Sequence, residues 1–105
     1  MGRWVKVATV AQVPPGTVRR VEVDGEPIAL CNVGGTFYAI YDICSHAEAS
    51  LSEGELVDTA IECPLHGSQF DLRTGRPLSL PATQPVPVYR VRVEGGDVLV
   101  EVGDP

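Results

Sequence analysis

Two short segments, Cys44-Ser45-His46 and Cys63-Pro64-Leu65-His66, decide how this 105-residue chain is read. Sixteen residues separate them, and each supplies one thiol and one imidazole. A Cys and a His two or three residues apart in a loop can face one side and reach different atoms of one metal centre. The four take in both histidines and two of the three cysteines of the chain, too regular a set for scattered core residues. Two thiolates and two imidazoles suit a [2Fe–2S] centre in which two His replace two Cys on one iron. They also suit a structural zinc ion. Zinc fingers group their Cys together and their His together, whereas each loop here supplies one of each, which favours iron–sulfur.

The spacing and its flanks closely resemble the Rieske family. Pro64 and Gly67 bracket the second pair as Cys-Pro-Leu-His-Gly, near the family's second-loop pattern. Proline restricts its loop, and glycine lets backbone approach a cluster and aim N–H groups at sulfur. Leu80-Pro81-Ala82 resembles the proline loop that covers the cluster. The resemblance implies one Rieske-type [2Fe–2S] cluster, with Cys44 and Cys63 on one iron and His46 and His66 on the iron that accepts the electron. It also implies tuning residues: Gly67, Pro81, and Ser68, which stands where a high-potential branch places a hydroxyl donating to sulfur. Phe70 stands where that branch has Tyr, so one donor is kept and the other is missing. Cys31, within Ile28-Ala29-Leu30-Cys31-Asn32-Val33, reads as a small core hydrophobe instead of a ligand.

Residues present and missing separate the branches of the family. The respiratory and photosynthetic branch clamps its loops with a disulfide, but Ala49 and Leu65 stand at those positions. Terminal oxygenases add a mononuclear iron site with two further His, and this chain has only His46 and His66. The resemblance therefore points to a small soluble ferredoxin, a carrier and not an enzyme. Such proteins take one electron at a time from a flavin-containing ferredoxin reductase to a terminal oxygenase that hydroxylates aromatic compounds. Two other readings stand beside it: the small Rieske-like subunit of an assimilatory nitrite reductase, and a zinc-stabilised β-domain acting only as a binding module.

The length bounds a single domain over residues 1–105, one that buries roughly two-thirds of the surface of its unfolded chain. No apolar run approaches membrane-spanning length and no signal peptide opens the chain, so the expected compartment is the cytoplasm, with no membrane partner. A monomer is expected. Charge is uneven: from Val21 to Leu72 there is no Lys or Arg, while ten of the fourteen acids lie there. Nucleic-acid binding is disfavoured where the ligands sit. An acidic face there would steer the protein toward a basic partner, or simply keep it soluble.

The pattern is all-β. Val5 to Val10 reads as a strand, and Val18 to Val23 leads to a turn at Asp24-Gly25. Ile28–Val33 and Thr36–Tyr41 form a hairpin about Gly34-Gly35 that runs into Cys44. Leu56–Glu62 reads as one strand ending at Cys63, Gln69–Leu72 as another, and a helical turn is expected near Ala47–Leu51. Tyr89, Val91 and Val93 alternate into a last strand that turns at Gly95-Gly96-Asp97 and returns through Val98, Val100 and Val102. The family fold implied is an antiparallel β-sandwich base with an inserted cluster-binding subdomain, about residues 42–82, carrying both loops at its tip.

Overall fold

Strand β3, Glu26–Val33, is buried on both faces, and the layers follow from it. Side chains alternate along a strand, so Ile28 and Leu30 face one way while Ala29 and Cys31 face the other. Ile28 and Leu30 enter a core with Ala8, Val21, Val98 and Val100. Ala29 and Cys31 enter a second core with Ile40, Ile61, Phe70 and Leu72. The sheet containing β3 is thus the middle of three layers. Each Leu, Ile or Phe fully buried in these cores stabilises the fold by about 1.5–3 kcal/mol.

The computed structural model describes residues 2–45, 48–65, 67–80 and 82–103. The outer base sheet has the order β1–β10–β9, built from Arg3–Thr9, Asp97–Val102 and Val91–Glu94. The middle sheet runs β2–β3–β4–β8, adding Val18–Val23, Thr36–Tyr41 and Val88–Tyr89. The third sheet is β5–β6–β7, from Glu55–Val57, Ala60–Glu62 and Gln69–Asp71. All pairings among the described strands are antiparallel. The third sheet lies in sequence between β4 and β8, so the chain leaves the middle sheet, builds the outer unit and comes back.

Three local expectations are corrected. Leu56–Glu62 is not one strand but a hairpin, because Asp58 takes a left-handed φ of 54° and Val57 pairs with Ala60 across a two-residue turn. Asp tolerates that conformation better than most residues, and no glycine marks the turn. The helical turn falls at Leu51–Glu53 as a short 3-10 helix, later than expected, while Ala47 lies outside the described residues. The strand through Tyr89 and Val93 is broken at Arg90, where the chain crosses from the middle sheet to the outer one. Tyr89 pairs with Ala39 on β4, whereas Val91 pairs with Val100 on β10. Val93 is left exposed despite its place in the alternation.

Gly75 locks the return path. Its φ is +79°, its N–H donates to Asp71 O at 2.7 Å, and its carbonyl accepts Val86 N–H at 2.9 Å. A Cβ there would sit 2.0 Å from Val86 O, while one on Gly95, also at positive φ, would meet nothing within 4 Å. Gly95→Ala should therefore cost only backbone strain, about 1 kcal/mol, and Gly75→Ala roughly 2 kcal/mol or more. Thermal midpoints of the two variants check this; equal losses would show that the Val86 segment yields freely.

Candidate metal centre

The first loop is a narrow ladder closed on itself. Asp42 O accepts from Leu51 N, Ile43 bridges Ser50, and Cys44 N donates to Ala49 O at 3.0 Å. Cys44 is thus held at the root of the loop by main-chain bonds before any metal is considered. The second loop is tighter still. Cys63 N donates to Ser68 O at 2.7 Å, and Gly67 N donates back to Cys63 O at 3.0 Å. Gly67 has a φ of +74°, a conformation that L side chains rarely adopt.

A third segment straps the two loops together. Ser45 Oγ donates to Gln84 O at 2.6 Å, and Ser68 Oγ accepts from Ala82 N at 3.1 Å. Further back, Leu78 N donates to Gln69 O, and Gln69 N donates to Ser79 Oγ. Ala82 and Val86 of this strap enter the same core as Cys44 and Cys63. Ser68 is fully buried, and a hydroxyl oxygen that accepts here keeps its own hydrogen to donate. Phe70 is fully buried in that core too, an apolar ring with no hydroxyl to offer.

The structure brings Cys44 and Cys63 into one core, at 4% and 1% exposure. His46, His66 and Pro81 lie outside the described residues. None of the three cysteines forms a disulfide. Cys31 shares the core and comes from β3, outside the two loops. Burial first, and the charge of Asp42 second, push its thiol up to about 12, so it remains a neutral thiol. The rim is different: Leu65, between the second Cys and His, is 56% exposed, and Leu80 is 77% exposed. Two buried cysteines from separate loops, brought into one core, fit the thiolate half of the donor set that a [2Fe–2S] group would need.

Charge around the loops is less simple than the sequence implied. Asp42, one of the ten acids of that segment, is fully buried. The base satisfies its own charges through Arg3–Asp24, Lys6–Asp97, Arg90–Glu101 and Arg92–Glu94. Among the described residues no ion pair engages Glu48, Glu53, Glu55, Asp58 or Glu62, and the first four are exposed. Among the described residues, exposed acids outside any ion pair are therefore gathered near the first loop and on the β5–β6 hairpin. Sequence reasoning missed the roles of Asp42, Ser45 and Gln84. Only Asp42 carried a signal, through its place two residues before Cys44 in an otherwise apolar extended run.

Comparison with known proteins agrees with this geometry. The family described as Rieske [2Fe-2S] domain matches residues 3–90. The 3-phenylpropionate/cinnamic acid dioxygenase ferredoxin subunit of Escherichia coli (strain K12) is 54% identical over 94 residues, 89% of this chain and 88% of that protein. A solved structure of the ferredoxin of carbazole 1,9a-dioxygenase from Nocardioides aromaticivorans IC177 superposes with a TM-score of 0.89 at 44% identity, covering 92% of this chain and 95% of that one. The complex of reduced oxygenase and oxidized ferredoxin in carbazole 1,9a-dioxygenase contains a chain matching at TM-score 0.90 and 46% identity, over 97% of this chain and 95% of that one. With the two loops, the strap and the layered sheets all in agreement, the chain belongs to the Rieske [2Fe–2S] family, among its electron-carrying ferredoxins, and a Rieske-type cluster is its cofactor.

Proposed function

We propose that Cys44 and Cys63 hold one iron and His46 and His66 the other, and that the protein passes single electrons to a terminal, aromatic ring-hydroxylating oxygenase. The observation that carries this is the convergence of Cys44 and Cys63 in one core at the roots of two strapped loops. When bound, the cluster would supply one-electron redox chemistry, with the protein setting its site and potential. The loops keep the sulfur ligands dry, and Ser68 fastens the strap over them. The similar ferredoxin in the carbazole system is found with its oxygenase, which supports an oxygenase as the acceptor here. The donor we propose is a flavin-containing reductase. We read the protein as a cytoplasmic monomer and single domain, with residues of about 42–82 as its cluster-binding subdomain. Among the described residues no helix is long and apolar enough to cross a membrane.

The ligand assignment is tested by composition and spectroscopy. Purified protein should contain about two irons and two sulfides per chain. Replacing Cys44, Cys63, His46 or His66 with Ala should abolish the EPR signal of the reduced protein, and Cys31→Ala should leave it intact. One zinc per chain and no iron after anaerobic purification would refute the assignment.

Docking follows from the unpaired acids. An acidic face speeds encounter with a basic partner and loses reach as salt rises. Glu48→Lys and Glu53→Lys should each slow electron transfer to the oxygenase several-fold at low ionic strength. Stopped-flow rates against salt check this, and a flat dependence would leave those acids to solubility alone.

Ser68 has a second expected role beyond holding Ala82. A hydroxyl donating to cluster sulfur favours the more negative reduced state and raises the potential. Ser68→Ala should lower the reduction potential while the EPR line shape persists. An unchanged potential would confine Ser68 to the strap.

A further inference from the structure

Asp42 is the one buried acidic or basic side chain among the described residues, and the ligand set does not account for it. Residues 40, 42 and 44 are buried while 41 and 43 are only partly so. Asp42 is thus buried at a bend just past the end of β4, two residues before Cys44. Its main chain is fixed on both sides: Asp42 N donates to Pro27 O at 3.0 Å, and Asp42 O accepts from Leu51 N. Oδ1 accepts Ser52 N–H at 2.8 Å. Oδ2 receives no aligned hydrogen bond but lies 3.3 Å from Arg20 Nη1, an ion pair. The same Arg20 Nη1 donates to Ser50 Oγ at 2.9 Å. One guanidinium on β2 thus ties the base to both ends of the loop that carries Cys44.

A buried carboxylate is costly without a partner, and removing the partner of such a pair leaves that charge uncompensated. Its field is felt inside the core, since Asp42 is the second cause, after burial, of the raised Cys31 thiol. A two-iron centre with two thiolates and two neutral imidazoles is formally neutral when oxidised and gains one negative charge on reduction. A bare buried carboxylate two residues from Cys44 would oppose that electron far more than the water-screened acids at the surface do.

We propose that Arg20 and Asp42 are positioning residues for the cluster: the pair holds the first ligand loop in place, and Arg20 cancels a buried negative charge that would otherwise resist reduction. This rests on the ligand assignment above. It goes beyond that assignment in giving a β2 arginine, far from the ligand loops in sequence, a part in setting the potential.

Voltammetry on the cluster-loaded protein tests the sign. Arg20→Gln should shift the potential negative, because the carboxylate is left unbalanced. Asp42→Asn keeps an acceptor for Ser52 N but removes the charge, so it should shift the potential positive. The double variant should return close to the starting value, and Arg20→Lys should stay near it. Arg20→Gln should also release iron to a chelator about tenfold faster, a modest factor because Arg20 is partly exposed. A purely structural brace would weaken cluster retention in both single variants without moving the potential in opposite directions. Unmoved potentials, or shifts of the same sign, in variants with a normal EPR signal would overturn the proposal. Loss of the signal from the unmodified protein would instead overturn the ligand assignment. If Asp42→Asn does not fold, Arg20→Gln against Arg20→Lys still decides, since equal potentials in those two would refute the charge role.

Discussion

A sheet with apolar residues on both faces has to be covered twice. Here the constraint is set by β3, whose Ile28 and Leu30 face the outer base sheet while Ala29 and Cys31 face away from it. Leaving that second face in water would forfeit about 25 cal/mol for every Å² of apolar surface. The insertion between β4 and β8 supplies the missing cover through Leu51, Ile61, Phe70 and Leu72. Cys44 and Cys63 are carried into that core with it. The fold and the placement of the two cysteines are therefore one packing problem, and the strap that returns to β8 closes both.

Much of this was legible in the sequence, for physical reasons that differ from one element to the next. The hairpin of β3 and β4 was plain, because Gly34-Gly35 supply two positive φ values between β-branched and aromatic runs. The Rieske-type cofactor was legible because metal chemistry needs particular donor atoms, and the two Cys–His segments supply them; of those residues the structure describes Cys44 and Cys63, in one core. The β5–β6 hairpin was hidden, since its turn depends on Asp58 adopting a conformation that sequence alone assigns more readily to glycine. The break at Arg90 was hidden for another reason. Alternation reports which face a residue prefers, but not which of two sheets takes the strand. The strap was seen only as Leu80-Pro81-Ala82. Its bonds from Ser45 and to Ser68 span 39 and 14 residues, and no local pattern encodes contacts at that range.

Electrostatics show the same division between composition and geometry. The sequence places ten acids and no base from Val21 to Leu72, and a single acidic face is the natural reading. The structure sorts eight of those acids into three kinds. Asp24, Glu22 and Asp71 pair with arginines at the surface. Glu48, Glu53, Glu55 and Asp58 stand exposed near the ligand loops. Asp42 is buried and answered by Arg20. Water and salt screen the exposed group, whereas a buried charge is screened much less.

The claim on which all of this depends is that one iron of the cluster is bound by the two histidines. Pulsed EPR on the reduced protein, prepared with natural and with 15N-labelled histidine, reads that directly. Two strongly coupled nitrogens that change with the histidine label are the expected result. A reduced signal with no such couplings, or with only one, would contradict the assignment of His46 and His66.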